Sequence, residues 1–385
     1  MIVGIVSPYN LFPPNSGGKV RIFQIVKNLG ELGYSVKLFI PDERENIPEL
    51  KNVEVCWSEE LNSIRKWHST SLHGVKVLTK SLIKLIKRVR GYKEVDVIQS
   101  ELLLTALHGL VLKNVLHKRV VLDEHNVETI LWYRINRVKR CHWRRVWLFE
   151  QAVCRRFDHI TVTSELDKCL IQRLFSIDPS KITVIPNGVD PGFFTPNAVD
   201  RAKIRLKYRL GDRPVILFLG RLSWFPNTDA AHAIVSKILP DLKRLIPDVV
   251  MMFVGVNPPP WLLSLKSPEF IVTGAVDDVR PYINAADVCI APIRCGSGTR
   301  LKILEYMACE KAVVTTSIGV EGLDVTNGRH VIIEDNLTQF ASRIAHLIKD
   351  RDTMLKLGKD ARRLVLNRYD WKVIVRKVAA VYRRL

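Results

Sequence analysis

Short apolar runs alternate with longer amphipathic segments along the whole chain. Each short run predicts a strand buried on both faces, and each segment with apolar residues at helical spacing predicts a helix. In the first half the predicted strands are Ile2–Val6, Val36–Ile40, Val95–Ile98, Arg119–Leu122, His159–Thr163 and Ile182–Ile185, and the predicted helices include Val20–Leu32, Leu102–Leu112 and Asn126–Arg156. Strands that alternate with helices in this way indicate a parallel sheet covered on both faces.

A turn-rich stretch divides this pattern into two halves. Pro186-Asn187-Gly188-Val189-Asp190, followed by Pro191 and Pro196, favours turns, and the alternation restarts after it. The predicted strands of the second half are Val215–Leu219, Val249–Val254, Phe270–Val272, Val288–Ala291, Ala312–Thr315 and Val331–Glu334, with a helix at about Asp229–Leu245 and a helical, basic tail from about Leu337. We therefore expect an α/β chain of two doubly wound domains, residues 1–188 and 189–370. Ligands of such sheets bind at the carboxyl ends of the strands, which makes the cleft between the domains the expected site.

The composition narrows the class of protein. With 385 residues, 47% of them apolar, the chain is long enough for about two domains and too apolar to be disordered. The net charge of +20 favours anionic partners such as nucleic acid, acidic lipid or phosphorylated substrates. Residues 51–150 hold 19 Lys and Arg against 10 Asp and Glu, whereas residues 251–350 hold 9 against 11, so the latter are not the source of the excess charge.

Cysteine usage and the first residues bear on metal binding and location. Seven cysteines are scattered without metal-ligand spacing, which predicts reduced thiols and no structural metal. The opening MIVGIVSPYN lacks the basic start and long apolar run of a signal peptide and predicts a strand. No run approaches the ~20 apolar residues needed to span a bilayer. We expect a cytoplasmic protein, either free or on the inner face of the plasma membrane.

The stretch from Pro292 to Leu323 carries the most specific chemistry. A loop ending in Gly296-Ser297-Gly298-Thr299 opens a helix that carries Arg300, Lys302 and Glu305. The first N–H groups of a helix have no intrahelical partner, so they attract an anion. Lys302 and Glu305 lie three residues apart and therefore share one face of the helix. A cation for phosphate beside a carboxylate for hydroxyl groups predicts a ligand such as a nucleoside diphosphate.

These motifs together resemble glycosyltransferase family 4. The residues that carry the resemblance are Gly298-Thr299-Arg300-Leu301-Lys302, Leu304-Glu305-Tyr306-Met307-Ala308, Ala312–Thr316, Gly319, Glu321, Gly322, the turn at Pro186–Asp190, Gly220-Arg221-Leu222 and the loop from Gly274 to Asp278. The resemblance covers nearly the whole chain. It implies the GT-B fold, in which two Rossmann-like domains face each other across a cleft and the C-terminal helix, about Trp371–Leu385, packs back on the first domain. It also implies a nucleotide-sugar donor, such as a UDP- or GDP-sugar, and no metal cofactor.

The resemblance also implies roles for individual residues. Arg221 and Lys302 correspond to the residues that stabilise the leaving diphosphate, Glu305 to the one that contacts the ribose, and His125 to the cleft histidine. The further donor-binding candidates are Gly17, Gly18, Val276, Ser297, Gly298, Thr299, Arg300 and Leu301. Ser297 stands where many relatives have the first of two glutamates, and Pro226 stands where many have a lysine. These departures shift phosphate binding onto Lys302 and Arg221 and leave the identity of the sugar open.

A polar cluster follows the predicted strand Arg119–Leu122. In Asp123-Glu124-His125-Asn126-Val127-Glu128 the histidine lies at the carboxyl end of a strand, where sites form in doubly wound sheets. Glu124 and Glu128 are candidates for acceptor contacts.

The predicted function is sugar transfer, with retention at the anomeric carbon, from a nucleotide-diphosphate donor to a hydroxyl acceptor on a glycan or lipid. Cell-surface polysaccharide or glycolipid assembly is the expected setting. A nucleotide-sugar epimerase of the same fold, and a membrane- or nucleic-acid-binding module with a degenerate sugar site, remain alternatives.

Basic and aromatic residues are concentrated in two segments of the first half. One runs from Trp132 to Trp147, and the other is Ile64–Lys93. Both compositions suit an anionic membrane surface, and both also suit an ordinary solvated helix face. No nucleic-acid motif is visible, so no nucleic-acid partner is expected.

Overall fold

The chain folds as two compact units. A computed structural model describes residues 1–41, 48–59, 61–62, 82–85, 89–135, 140–265 and 267–385. The first unit comprises Met1–Asn187 together with Trp371–Leu385, and the second comprises Gly188–Asp370. The chain therefore returns to its first unit for its last helix.

The first unit is built on a seven-stranded sheet in which every neighbouring pair is parallel. Its strands are β1 (Ile2–Val6), β2 (Ser35–Ile40), β3 (Val53–Trp57), β4 (Val97–Glu101), β5 (Arg119–Glu124), β6 (His159–Val162) and β7 (Ile182–Val184), in the spatial order β3-β2-β1-β4-β5-β6-β7. The order reverses between β1 and β4, where ligands bind in folds of this kind. Six of these strands were predicted. The edge strand β3 was missed because its sequence VEVCW mixes polar with apolar residues.

Helices cover both faces of this sheet. They are α1 (Gly17–Glu31), α2 (Leu102–Leu116), α3 (Glu128–Ile135), α4 (Arg140–Cys154), α5 (Glu165–Phe175) and the C-terminal α14 (Trp371–Arg384). One core contains α1, α14 and side chains such as Val3 and Ile5, and a second contains α2, α4 and side chains such as Leu122. The prediction of one helix over Asn126–Arg156 was wrong, since the described residues form two helices there.

The second unit has a six-stranded parallel sheet. Its strands are β8 (Val215–Leu219), β9 (Val250–Val254), β10 (Phe270–Val272), β11 (Val288–Ala291), β12 (Ala312–Thr315) and β13 (Ile332–Ile333), in the order β10-β9-β8-β11-β12-β13. Strands β8, β9, β11 and β12 are buried along their whole length, which explains why every residue in them except Thr315 is apolar. All six were predicted, four of them with the observed bounds at Val215, Phe270, Val288 and Ala312.

The helices of the second unit pack on both sides of that sheet. They are α6 (Ala198–Lys207), α7 (Phe225–Ala233), α8 (Leu239–Leu245), α9 (Pro260–Leu263), α10 (Arg280–Ala285), α11 (Leu301–Ala308), α12 (Leu337–Lys349) and α13 (Arg351–Arg368). The helix predicted at Asp229–Leu245 begins earlier, at Phe225, and contains a π-helical turn at Ile234–Ile238. The predicted α/β class with two doubly wound sheets is confirmed.

Two further findings concern the membrane. Among the described helices, none combines the length and the apolar character needed to cross a bilayer. Much of the basic, aromatic sequence lies outside the described residues, namely 63–81, 86–88 and 136–139. Trp147, one of its aromatic residues, packs against the core of the first unit and donates a 3.3 Å hydrogen bond to Leu174 O, so its role there is structural.

Candidate active site

The glycine loop between β11 and α11 folds as a tight backbone turn. Gly296 has φ +114° and Gly298 has φ +72°, in the left-handed region that side chains other than glycine rarely adopt. Arg300 lies just before the first turn of α11, and its guanidinium donates hydrogen bonds to Ser297 O at 2.9 Å and to Gly298 O. Arg300 therefore stabilises the conformation of the loop through hydrogen bonds to its carbonyl oxygens.

A second arginine anchors the same loop to α7. Arg294 pairs with Asp229 through two hydrogen bonds, of 2.9 Å from Nε and 2.5 Å from the terminal nitrogen. The loop is thus fixed at both ends, and the start of α11 is held by contacts within the second unit.

Lys302 is the central cation of this unit. Its ammonium group donates a 2.7 Å hydrogen bond to Asn227 Oδ1 and lies 4.4 Å from the ring centre of Phe218. The pKa of Lys302 is lowered to about 7, mainly by burial and also by the nearby charge of Arg300, while the charge of Glu305 acts in the opposite direction. The lysine is therefore close to losing its proton at neutral pH, and a bound anion would restore the charge.

Glu305 lies one helical turn beyond Lys302 on the same face of α11. It is half-buried, and no hydrogen bond or ion pair within 4 Å joins its carboxylate to any residue that the structure describes. Burial raises its pKa to about 7, and the charge of Lys302 limits the rise. A lysine and a glutamate that share a face and shift toward neutrality without pairing are typical of functional sites.

Three glycines bring the loops after β8, β9 and β10 close together. A Cβ atom on Gly255 would lie 1.8 Å from Gly220 O, and Gly255 N donates to Gly274 O at 3.1 Å. A Cβ atom on Gly220 would lie 2.8 Å from Lys302 Nζ. Because they have no side chains, these glycines let the three loops approach one another at the carboxyl edge of the sheet, beside the lysine.

The remaining predicted site residues of the second unit differ from one another in burial and in contacts. Arg221 is exposed, its side chain makes no hydrogen bond among the described residues, and its carbonyl oxygen accepts a 2.9 Å bond from Asn227 Nδ2. Asn227 therefore joins Lys302 to Arg221. Ser297, Thr299 and Leu301 are half-buried at the start of α11, whereas Val276 packs against the core.

His125 lies at the centre of a buried polar cluster in the first unit. Its Nε2 atom lies 2.9 Å from Glu101 Oε2 and 3.3 Å from Asp123 Oδ2. These contacts direct the ring's other edge toward α1, since a Cβ atom on Gly18 would lie 3.5 Å from His125 Nδ1. Gly17 is exposed at the first position of α1. The structure thus brings Gly18 and His125 together.

Arg21 supplies the cation of this cluster. It is 1% exposed and holds both oxygens of Asp123 at 2.8 Å, and it donates a third hydrogen bond to Asn187 Oδ1 at 3.0 Å. Burial acts to raise the pKa of Asp123, but the charge and hydrogen bonds of Arg21 lower it well below its usual range. Burial acts to lower the pKa of His125, but its hydrogen bonds to Asp123 and Glu101 and their charges raise it.

Glu101, Asp123 and His125 are also close enough together to suggest a metal site, because one ligand atom from each lies within 4.8 Å of the others. Their chemistry favours an ion and hydrogen-bond cluster instead. Both oxygens of Asp123 already accept from Arg21, and His125 Nε2 faces carboxylates as an N–H donor. A metal would need the lone pair that this nitrogen uses for its proton.

The glutamates beside His125 lie in different surroundings. Glu124 is 1% exposed, and its two carboxylate oxygens have no hydrogen-bond partner among the described residues. Burial and the charges of Glu150 and Glu128 raise its pKa well above the usual value. Glu150 accepts backbone hydrogen bonds from Glu128 and Thr129, both at 2.8 Å, so it holds the start of α3. The burial of Glu124 favours a structural role over the predicted acceptor contact.

Several residues of these sites were missed by reasoning from sequence. Tyr306 accepts a 2.7 Å hydrogen bond from Leu219 N and so anchors the end of β8. The other missed residues are Asn227, which contacts Lys302; Glu101, which contacts His125; and Arg21, which contacts Asp123. A signal existed for Glu101, because it ends β4 as Asp123 and Glu124 end the neighbouring β5. None existed for Asn227, whose contact spans 75 positions in sequence.

Comparison with known proteins assigns the chain to a family. The model of Glycosyltransferase Family 4 matches residues 15–193, and that of Glycosyl transferases group 1 matches residues 213–350. An uncharacterized 44.6 kDa protein in the cps region of Klebsiella pneumoniae is 22% identical over 389 residues, covering 96% of this chain and 97% of that protein. The GDP-mannose-dependent alpha-(1-6)-phosphatidylinositol monomannoside mannosyltransferase of Mycobacterium tuberculosis is 26% identical over 251 residues, covering 60% of this chain and 63% of the enzyme.

Solved structures support the fold. Anabaena Alr3699/HepE, in complex with UDP and glucose, superposes with a TM-score of 0.77 at 17% identity and covers all of both chains. The two sheets described above are those of the GT-B glycosyltransferase fold, and the chain belongs to glycosyltransferase family 4, the group 1 glycosyl transferases. It is a glycosyltransferase.

Proposed function

We propose that the protein is a retaining hexosyltransferase that uses a nucleotide-diphosphate sugar as donor and a hydroxyl group as acceptor. The observation that carries the proposal is the arrangement of Lys302 and Glu305. They share one face of α11, are half-buried without pairing, and have pKa values near 7. A diphosphate would restore the charge of Lys302, and ribose hydroxyl groups would hydrogen-bond to the Glu305 carboxylate.

We assign stabilisation of the leaving group to the second unit. When the bond between the anomeric carbon and the phosphate oxygen breaks, its electron pair leaves with the diphosphate. Lys302, Arg221 and the backbone amides of the glycine loop from Gly296 to Thr299 stabilise the charge that develops. The loop and Lys302 are preorganised, because Arg300 and Arg294 hold the loop and Asn227 holds Lys302.

We assign the sugar contact to the first unit, at Gly17, Gly18 and His125. The reaction that the family resemblance implies retains the anomeric configuration without a protein nucleophile. The acceptor oxygen bonds to the anomeric carbon on the face from which the diphosphate leaves, and the acceptor proton passes to the leaving phosphate oxygen. No metal is needed in this scheme, because side-chain cations and amides neutralise the diphosphate.

The names of two relatives support UDP- and GDP-sugars as candidate donors and a lipid-linked glycan as a candidate acceptor. The mannosyltransferase depends, by its name, on GDP-mannose, and the Anabaena protein was solved with UDP. The mannosyltransferase acts on a phosphatidylinositol monomannoside, which is a glycolipid, and this supports a lipid-linked acceptor in cell-surface glycan assembly. Both UDP- and GDP-sugars are therefore included in the test.

The experiment is a donor panel with purified full-length protein. Release of nucleoside diphosphate from UDP-glucose, UDP-galactose and GDP-mannose is measured with and without lipid-linked and glycan acceptors. Lys302→Ala and Glu305→Ala are expected to weaken donor binding at least tenfold, and Lys356→Ala, which removes an exposed lysine from α13, is the control. Unchanged donor binding in both site variants would overturn the assignment. An epimerised nucleotide sugar formed without acceptor would replace transfer with epimerisation.

A peripheral contact with anionic lipid is a separate part of the proposal. Among the described residues, Tyr133 is 58% exposed and packs edge-on against Trp143, with Arg144 5.7 Å from the Trp143 ring centre. Aromatic and basic side chains together suit an acidic headgroup region. Co-sedimentation with vesicles is expected to require acidic lipid and to weaken as salt rises. Equal recovery with neutral vesicles would count against this contact.

A further inference from the structure

Both carboxylate oxygens of Glu101 accept hydrogen bonds inside the first unit. Oε2 lies 2.9 Å from His125 Nε2, and Oε1 accepts a 2.6 Å bond from Gln99 Nε2. Glu101 is completely buried at the end of β4. A side chain that accepts at both of its terminal oxygens is an ionised carboxylate, because an amide or a protonated acid would present a donor at one of these two positions.

Gln99 also contacts the C-terminal helix. Tyr382, buried on α14, donates a 2.5 Å hydrogen bond to Gln99 Oε1. Since the oxygen of the Gln99 amide faces Tyr382, its NH₂ group faces Glu101. Glu101 Oε1 therefore accepts from Gln99. His125 Nε2 also lies 3.3 Å from Asp123 Oδ2, and Arg21 keeps that carboxylate ionised, so Nε2 is the donor to the two carboxylates.

The backbone after Glu101 is strained. Leu102 has φ +65°, in the left-handed region that leucine rarely adopts, and α2 begins at that residue. Thr105 Oγ1 donates to Glu101 O at 2.8 Å and holds this turn. Strain of this kind persists where the surrounding structure imposes it, often at functional sites.

Glu101 and Asp123 differ in how much of their negative charge is available to the His125 imidazole. Asp123 is already neutralised by Arg21, which contacts both of its oxygens at 2.8 Å. His125 is the sole ion-pair partner of Glu101 among the described residues. The charge of Glu101 is therefore committed to the imidazole, while most of the charge of Asp123 is committed to Arg21.

We propose that Glu101 is a positioning residue, which sets the orientation and the proton state of His125 so that the ring edge bearing Nδ1 faces Gly18 and the donor sugar. The proposal rests on the proposed function in one respect, the contact between His125 and the sugar. The charged and titratable groups around the ring are Asp123 on β5, Arg21 on α1, Tyr382 on α14 and Glu128 on α3.

The test compares Glu101→Gln, Glu101→Asp and His125→Asn with a matched control, Glu54→Gln, which removes a largely exposed carboxylate from β3. The readout independent of activity is the NMR titration of ¹³C-labelled histidine, in which the His125 signal is identified by its loss in His125→Asn. In Glu101→Gln the titration midpoint of His125 is expected to fall by about one pH unit, because a committed negative charge is removed. Turnover of the donor is expected to fall about tenfold, with the acceptor KM unchanged.

The other two variants distinguish failure of the positioning role from failure of the proposed function. Glu101→Asp keeps the charge on a shorter side chain, so its midpoint and turnover are expected between those of wild type and Glu101→Gln; it also serves if Glu101→Gln fails to fold. If Glu101→Gln, or Glu101→Asp in its place, leaves both the midpoint and turnover unchanged while His125→Asn loses turnover, the positioning role is wrong and the proposed function stands. If His125→Asn turns over donor normally, the sugar contact and the positioning role both fail.

Discussion

Lys302 Nζ donates a 2.7 Å hydrogen bond to Asn227 Oδ1, and the amide nitrogen of the same asparagine donates a 2.9 Å bond to Arg221 O. Asn227 lies on α7 and Lys302 on α11, so the contact joins two helices that are far apart in sequence. It places the lysine head group beside Gly220, where a larger residue would collide with it. The position of the Lys302 ammonium group thus depends on residues outside the glycine loop and α11.

Asn227→Ala is expected to weaken nucleotide-sugar binding about fivefold. The substitution removes the acceptor that holds Lys302 and the donor that holds the Arg221 carbonyl, and a hydrogen bond of this kind contributes about 1 kcal/mol net. The measurement is isothermal titration calorimetry with the donor found in the panel. Gln339→Ala, which removes an exposed amide from α12, should bind like wild type. An affinity equal to wild type in Asn227→Ala would show that Lys302 needs no such support.

Donor affinity is expected to follow a bell-shaped dependence on pH with its maximum near 7. Below about 7 the Glu305 carboxylate becomes protonated and loses its capacity to accept from ribose; above about 7 Lys302 loses its charge. Lys302→Arg should remove the alkaline limb, because arginine keeps its charge. Glu305→Gln should remove the acidic limb. An intact nucleotide sugar is the ligand of choice, since its diphosphate has no terminal phosphate to titrate near neutrality.

A flat profile in wild type between pH 6 and 8 would contradict this assignment of the two groups. So would an alkaline limb that persists in Lys302→Arg.

Gly220→Ala is expected to reduce donor affinity about tenfold while the protein stays folded. The new Cβ atom would lie 2.8 Å from Lys302 Nζ and 2.9 Å from Asn227 Nδ2, so the flexible lysine must move. Displacement of a packed side chain costs about 1–3 kcal/mol, and 1.4 kcal/mol corresponds to a tenfold change in affinity. Circular dichroism checks the fold, and Gly91→Ala, at an open position in the first unit, is the control. Wild-type affinity in Gly220→Ala would show that Lys302 does not need its observed position.

Glu124→Gln is expected to make the protein less sensitive to alkaline pH. A buried carboxyl group whose pKa is raised in the folded state stabilises the protein fully below its unfolded pKa, near 4.3, and this contribution is lost as pH rises toward the folded value. Wild type should therefore lose stability between pH 5 and 8. The loss should be smaller in Glu124→Gln and should persist in part, because burial also raises the pKa of Glu150 to about 8 and that of Glu128 to about 7.

Urea unfolding at both pH values measures this difference. Glu165→Gln, an exposed glutamate in the first turn of α5, is the control and should retain the full dependence of wild type. An identical pH dependence in Glu124→Gln and wild type would show that Glu124 is not the buried acid that titrates.

Local patterns predicted the strands well and the helices less well. The runs Val215–Leu219 and Val288–Ala291 are buried strands, as expected because a sheet covered on both faces favours continuous apolar sequence. The edge strand Val53–Trp57 lacks that pattern. The split of Asn126–Arg156 into two helices, and the π-helical turn at Ile234–Ile238, depend on packing that helical periodicity does not contain.

The sequence by itself determined the α/β class, the tandem sheets, the glycine loop before Lys302 and the resemblance to the family, because each depends on residue types at short, fixed spacings. Only the tertiary structure decided which side chains those residues contact. Asn227 reaches Lys302, Arg21 neutralises Asp123 across 102 positions, and Tyr382 orients Gln99 across 283. Parallel sheets bring distant strand ends to one edge, so the polar groups that set charge and orientation are assembled from separate parts of the chain.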